Sequence, residues 1–424
     1  MEKKTNVPKL RFPEFEGEWV EKKLGTIYNF KTTNSFTRDN LNYEEGVVKN
    51  IHYGDIHKKF KSHFDITKEL VPFVNKEISL NKLSAENYCK EGDIIIADAS
   101  EDYVDIGKSI EIVNLNNEKI IAGLHTLHAS PDLQMLAIGF GAHVMKSENI
   151  RLQIKTVAQG TKVLSITSDR LSNIILIIPT LPEQTKIASF LTAVDDKLTQ
   201  LKKKKSLLEE YKKGVMQKIF SQELRFKDDN GEYFPEWEEK RLGDITERIV
   251  SKNKENNLNV LTISAQNGLI SQLEFFNKSV SAKDVTGYYL LNKDDFAYNK
   301  SYSNGYPMGA IKRLTRYEKG IVSTLYICFR NKPEFDNSFA EQYFETGLQN
   351  SELEKVAQEG ARNHGLLNIG VSDFFNIELS IPSLPEQTKI ANFLSAIDEK
   401  INHFSKQIER MEEWEKGLLQ QMFC

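Results

Sequence analysis

The chain has 424 residues, too many for one hydrophobic core and enough for two or three domains. Its apolar fraction of 40% and charged fraction of 27% are those of a soluble globular protein, and no apolar run approaches the length of a membrane span. A net charge of −4 argues weakly against a protein that grips nucleic acid unaided. Three cysteines far apart in sequence, Cys89, Cys328 and Cys424, indicate neither a disulfide framework nor a zinc site. The opening Met-Glu-Lys-Lys-Thr-Asn lacks the apolar segment of a secretory signal, so the chain reads as cytosolic.

Taken in order, the chain is one unit written twice. Leu10-Arg11-Phe12 and Trp19-Val20-Glu21-Lys22-Lys23-Leu24-Gly25 return as Leu224-Arg225-Phe226 and Trp237-Glu238-Glu239-Lys240-Arg241-Leu242-Gly243. Inside the first unit, Gly92-Asp93-Ile94-Ile95-Ile96-Ala97 reads as a turn feeding a buried strand, and Asp294-Asp295-Phe296-Ala297 is its counterpart in the second. Thr126-Leu127, near the end of one alternating run, echoes Thr324-Leu325 in another. Each unit then has a glycine-containing loop and a strand. In the first these are Gln159-Gly160-Thr161-Lys162 before Ile174 to Ile178; in the second, Gly360 to Gly365 before Ile377 to Ile381. Each unit is therefore mixed α and β, with short strands and helices outside. Apart from these shared borders the interiors differ almost everywhere.

Each unit ends on the same octapeptide, Leu-Pro-Glu-Gln-Thr-Lys-Ile-Ala, at Leu181 and at Leu384, and each octapeptide opens a long amphipathic helix. In the first helix apolar residues fall at Ile187, Leu191, Val194, Leu198, Leu201, Leu208, Val215 and Ile219, with Lys205 and Lys212 at the remaining seam positions. In the second they fall at Ile390, Leu394, Ile397, Ile401, Phe404, Ile408, Met411, Leu418 and Met422, with Glu415 the one charged member. This is heptad spacing, and two narrow apolar stripes of the same kind predict that the helices pair. Pro182 and Pro385 sit where a missing N–H costs nothing, and Glu183 and Glu386 place negative charge in the first turn. Short connections at both helix starts predict an antiparallel pair that brings Cys424 back near the amino terminus. A helix from Pro182 to Ile219 spans on the order of 57 Å at roughly 1.5 Å per residue.

Motifs that would carry catalysis fail on inspection. Gly107-Lys108-Ser109 would need an earlier glycine where Asp102 stands, whose charge would repel a phosphate. Glu14, Glu21, Lys22 and Lys23 are too cramped for a metal-dependent nuclease. Gly139-Phe140-Gly141 has a glycine pattern seen at methyl-donor sites, but the chain has no adjacent prolines and so no Asn-Pro-Pro or Asp-Pro-Pro run for an extruded adenine. His52, His57, His63, His125 and His128 show no known metal-site spacing, and Glu101, Asp102 and Asp105 read as a solvated loop. Catalytic and metal-binding residues are therefore expected to be absent.

Candidate DNA contacts are polar and cationic loops. Lys58, Lys59 and Lys61 surround Phe60, a mixture of cation and aromatic suited to phosphate and base. Asn299, Lys300, Tyr302 and Asn304, followed by Lys312, Arg313 and Arg316, supply forked donors that can pair with base edges. Lys162 in one pre-helix loop, and Arg362, Asn363 and His364 in the other, occupy matching places suited to backbone phosphates.

Variable α/β unit, Leu-Pro-Glu-Gln-x-Lys-Ile-Ala helix, second variable unit and the same helix again: this layout resembles the specificity subunit of type I restriction-modification enzymes, over essentially the whole chain. The helix starts, the Ala158–Lys162 loop and Trp237–Gly243 carry it most strongly. The resemblance implies an α+β protein with target-recognition domains at 1–180 and 223–383, a central conserved helix at 181–222 and a C-terminal conserved helix at 384–424. The helices would form an antiparallel coiled coil with a pseudo-two-fold axis, paired through Leu191, Val194, Leu198, Leu201 and Leu208 against Leu394, Ile397, Ile401, Phe404, Ile408 and Met411. It implies a non-catalytic subunit that reads a split site in double-stranded DNA for DNA methylation and defence against foreign DNA. Implied partners are two methyltransferase subunits and, through them, restriction subunits, with S-adenosylmethionine, ATP and Mg confined to those partners. The competing readings are a chain with its own nuclease or methyltransferase activity and a coiled-coil scaffold. The absent donor and phosphate motifs count against the first, and two large variable units exceed what the second needs.

Overall fold

A computed structural model describes residues 6–264, 267–277, 284–357 and 367–424. The chain forms two compact units, one built from the residues up to Lys203 together with Lys406–Cys424 and the other from Lys204–Ser405. The two long helices, Leu181–Phe220 and Leu384–Gln421, therefore each contribute to both units. In the first unit Leu191 and Val194 share a core with Leu418 and Met422, and Phe190 meets Trp414 edge-on at 6.1 Å between ring centroids. In the second, Leu208, Val215 and Ile219 share a core with Leu394, Ile397 and Ile401. Early residues of one helix meet late residues of the other in both units, which makes the pair an antiparallel coiled coil. Leu198 and Leu201 are also buried, while Phe404, Ile408 and Met411 are half-buried.

The first unit holds a five-stranded sheet in the order Tyr28–Lys31, Thr126–Pro131, Ile94–Ala97, Ser109–Asn114, His63–Asp65, antiparallel except for the last pair. Ile94 to Ala97 are wholly buried, as a central strand covered on both faces requires. The second unit has the corresponding order Thr246–Ile249, Ile327–Asn331, Phe296–Asn299, Ala310–Arg313, with no fifth strand joined to it among the described residues. The matched aspartates play matched parts. Asp93 accepts from Lys90 N and from His128 on the neighbouring strand; Asp295 accepts from Asn292 N and from Arg330 on its neighbour. Thr126-Leu127 opens its strand instead of lying near its end, and Thr324-Leu325 lies in the turn just before Ile327–Asn331.

The repeated borders close each unit. Val20–Lys23 pairs antiparallel with Ile175–Ile178, and Glu238–Arg241 pairs in the same way with Glu378–Ile381. Trp19 packs edge-on to Phe423 at 6.3 Å and Trp237 edge-on to Phe220 at 6.2 Å, so the last aromatic of a helix seals each border. Chain entry and exit are thus hydrogen-bonded neighbours, and everything between them is an insertion in a fixed frame.

The helix starts explain the octapeptide. Glu183 is 1% exposed and is gripped by Arg11, with Nε to Oε1 at 2.7 Å and Nη2 to Oε2 at 2.8 Å, while Trp19 Nε1 lies 3.3 Å from Oε1. Arg225 holds Glu386 in the second unit through Nη2 to Oε2 at 3.1 Å. The carboxylate is favoured by the helix N-terminus but is tolerable in the interior only with a partner, and the arginine of the Leu-Arg-Phe leader supplies it. The neighbouring glutamine is equally constrained. Gln184 accepts from Ala137 N and donates to Met135 O and Pro179 O, each at 2.9 Å. Gln387 accepts from Asp336 N and donates to Glu334 O and Pro382 O. We expect Arg11→Met to lower the unfolding free energy by about 3–5 kcal/mol, because a buried carboxylate is left alone. Adding Glu183→Gln should recover most of that loss, as read from urea unfolding midpoints.

Candidate nucleic-acid interface

In the first unit the cationic stretch follows the helix Tyr53–Lys58, which His52 caps by accepting from Gly54 N at 3.1 Å. Lys58, Lys59 and Lys61 are exposed, but Phe60 is not available to a base: it is 7% exposed and packs edge-on to Phe64 in the core. The aromatic of the cluster is instead Tyr43, 42% exposed, whose hydroxyl accepts from Lys59 Nζ at 3.0 Å. Beneath it the buried Asp55 accepts from Arg38 Nη1 at 2.7 Å and lies 3.1 Å from Lys59 Nζ. Burial alone would raise the Asp55 carboxyl, but the hydrogen bonds from Arg38 and Lys59 outweigh it and hold it below its ordinary value. Arg38, Tyr43, Lys58 and Lys59 thus line one shallow cleft, set on a single buried carboxylate. No spacing in the sequence announces Arg38 and Tyr43, which reach the site through the fold alone. Lys162 is exposed in its loop, where Gly160 adopts φ of 126°.

In the second unit Tyr302 and Asn304 are exposed on the turn that follows the strand Phe296–Asn299, and Gly305 takes φ of 84° to close it. Asn299 spends its side-chain oxygen on Ser301 N at 3.1 Å, and Lys300 Nζ lies 3.4 Å from Ile369 O. Lys312 and Arg313 are not free cations. Lys312 is 7% exposed, bonded to Glu345 and to the Tyr306 hydroxyl. Arg313 is held by Asp294, Glu341 and Ser338. Their partners come from a turn and from the helix Asn337–Thr346, distant in sequence, so both residues serve the fold of their own unit. Arg316 is exposed. A cleft of about 1250 Å³ runs between this region and the central helix, with Asn304 and Ser303 on one wall and Lys213 on the other. Arg362, Asn363 and His364 lie outside the described residues.

The remaining motifs find structural uses. Lys108 Nζ donates to His57 O at 2.7 Å, and Gly139 sits before the helix Phe140–Lys146 with its N–H on the buried Glu111. Glu14 pairs with Lys186. His57 Nε2 lies 3.0 Å from Ala99 O, His125 lies 3.3 Å from Asp98, and His128 lies 2.6 Å from Asp93. His63 differs, because the fold brings it beside His143 and Asp195, a grouping that sequence spacing does not reveal. Burial lowers the pKa of both imidazoles, that of His143 well below its ordinary value.

Two unlike α/β interiors held in one repeated frame, each with its own polar reading surface, define a duplicated recognition subunit. The profile described as "Type I restriction modification DNA specificity domain" matches residues 16–210 and 235–413, and the chain belongs to that family. It is a non-catalytic specificity subunit of a type I restriction-modification complex, with a role in DNA recognition and in assembly with other subunits. Among solved structures it is similar to the S subunit of the type I restriction-modification system from M. genitalium, at 14% identity and a TM-score of 0.60 over 99% of each chain. It is also similar to a chain from a structure on complex assembly and conformational transition of the type I R-M system, at 14% identity and a TM-score of 0.52, covering 95% of this chain and 96% of that one. The HsdS subunit from Thermoanaerobacter tengcongensis matches at 16% identity and a TM-score of 0.46 over 96% of each chain. The first two similarities show a shared fold. No helix among the described residues is long and apolar enough to cross a membrane.

The contrast between the ion-paired and the exposed arginine is measurable. Arg313→Met should lower stability by about 1 kcal/mol through the partly solvated ion pairs it loses, whereas Arg316→Ala should stay within about 0.5 kcal/mol, both read by urea unfolding.

Proposed function

We propose that each unit reads one half of a split target in double-stranded DNA, and that the long helices between them carry two methyltransferase subunits and, through these, restriction subunits. S-adenosylmethionine, ATP and Mg act in those partners. The observation that carries this reading is the frame itself: closely similar borders, zipped in the same register, enclose interiors that differ, among the described residues, in strand number and in candidate contacts. Such an arrangement favours recognition that is modular, with target-recognition domains at 1–180 and 223–383. Exchanging the interior from Gly25 to Thr180 for that of a relative should change one half-site and leave the other intact, as mapped from methylated bases. A change in both half-sites would show that the units do not read independently.

The candidate contacts divide by role. Lys58, Lys59, Lys61 and Lys162 are suited to phosphates, with Arg38 added from the fold; Tyr302, Asn304 and Arg316 are suited to base edges and backbone in the second unit. With a net charge of −4 on the chain, the partner subunits supply much of the attraction for DNA. In the assembled complex, Lys58→Ala and Lys162→Ala should each weaken binding to all sequences alike. Each should also reduce the salt slope of log K by about one. Altered sequence preference in either variant would move that lysine from phosphate to base contact.

A further inference from the structure

The duplication allows the two units to be compared position by position. Asp195 and Asp398 occupy the same place in their helices, since 195 minus 181 and 398 minus 384 are both 14. Lys212 and Glu415 likewise correspond, since 212 minus 181 and 415 minus 384 are both 31. In the second unit Lys212 Nζ lies 2.7 Å from both oxygens of Asp398, and Gln342 Nε2 donates to the same carboxylate at 2.8 Å. One carboxylate there has an ammonium and an amide.

The first unit has the opposite composition at the same place. Glu415 stands where Lys212 would be and faces Asp195, so two carboxyls meet; burial first and then the neighbouring Asp195 raise the Glu415 carboxyl above its ordinary value. His143 stands where Gln342 would be, three residues after Phe140 as Gln342 is three after Phe339, and these phenylalanines pack on Phe423 and Phe220 in the same manner. A second imidazole, His63, arrives from the fifth strand, which the second unit's sheet lacks among the described residues. The compensating cation is Lys146, at 3.3 Å from Asp195 and 3.9 Å from Glu415, with its side chain 35% exposed.

The geometry around His63 is that of a metal ligand. Its Nε2–H donates to Gly139 O at 2.8 Å, which leaves Nδ1 as the lone-pair nitrogen. That atom is buried without a hydrogen-bond partner and lies 3.8 Å from Asp195 Oδ2. A ring N–H fixed on a backbone carbonyl, with the other nitrogen turned inward, is the arrangement that orients metal-bound histidines. The Gly139 peptide is itself anchored, its N–H bonded to Glu111 Oε1 at 2.6 Å. His143 is 1% exposed, its ring 4.3 Å from that of His63. One ligand atom each from His63, His143 and Asp195 lies within 4.8 Å of the others. Zinc bonds of about 2.0–2.2 Å would draw these atoms together by roughly an ångström, within the reach of side-chain rotation. A cavity of about 430 Å³ bordered by His63, Gly139, Thr192 and Asp195 gives an ion access.

We propose that His63 Nδ1, His143 and Asp195, with Glu415 alongside, form a divalent-metal site of the zinc type in the first unit. Two imidazoles with carboxylate oxygen select a borderline cation such as Zn2+ over Mg2+ or Ca2+. Two carboxylates neutralise the ion, and Lys146 turns to solvent. The metal ties the strand His63–Asp65 and the helix Phe140–Lys146 to the central helix, where the second unit uses the Lys212–Asp398 ion pair.

The test uses the full chain, stripped with chelator and titrated with Co2+ alone. One equivalent should produce the strong visible bands of a four-coordinate site, Zn2+ should abolish them, and Zn2+ should raise the melting temperature of the stripped protein. The double substitution His143→Gln with Glu415→Lys installs the residue types that the second unit already folds around. It should unfold cooperatively without metal and bind Co2+ at least about ten-fold more weakly. His125→Ala, at a histidine outside the cluster, should bind as the parent does. Absence of the bands in the parent chain, or their survival in the folded double variant, overturns the proposal.

Discussion

A buried arginine–glutamate pair at the start of each long helix organises this protein. Glu183 and Glu386 lie inside their units, where an unpartnered carboxylate would be intolerable, and Arg11 and Arg225 reach them from the leaders that precede each border. In both units the pair joins leader and helix start, and in the first the border tryptophan Trp19 adds its indole N–H to the same carboxylate. Next to it, Gln184 and Gln387 bind the backbone of the segment before the reader's outer helix, so the helix start also fixes where the reader's sheet and helices sit. The octapeptide is repeated letter for letter because almost every polar atom in its first turn has a fixed partner.

Within that frame the units are free to diverge, and they do so even at positions that face the helices. The place filled by Lys212 against Asp398 is filled by Glu415 against Asp195, and the outer-helix partners differ correspondingly, Gln342 in one unit and His143 with Lys146 in the other. The cation comes from a different element in each case, the central helix for Lys212 and the helix Phe140–Lys146 for Lys146. At this one seam position the charged residue is therefore matched to the reader packed beside it, whereas Lys205 pairs along its own helix with Glu209.

The fold was legible where periodicity or repetition carried it. Heptad spacing marked both helices, repeated letters marked the borders, and Asp93 and Asp295 marked equivalent strands. The reading surface was less legible, because whether a cation is free depends on partners remote in sequence. Lys312 and Arg313 look like DNA contacts until Glu345 and Asp294 are brought against them, and Phe60 looks like a stacking platform until it enters the core beside Phe64. Conversely, Arg38 and Tyr43 carry no local signal and join Lys58 and Lys59 only in the folded unit, Arg38 through the buried Asp55 and Tyr43 through Lys59 itself. The grouping of His63, His143 and Asp195 escaped notice for the same reason, its members separated by 80 and 52 residues (143 minus 63, 195 minus 143).

The partition of the helices between units bears on how the protein is made. The core of the first unit contains Leu418, Met422 and Phe423, with Trp19 packed on the last of these. A ribosome must therefore translate Leu418 to Phe423 before the first unit can complete its interior, and Ile187, Leu191 and Val194 lack those partners until then. Domains usually fold in the order of their synthesis. Here the unit begun first is finished last, so loss of Leu418 to Phe423 harms the core of the first unit although the whole second unit is translated before them.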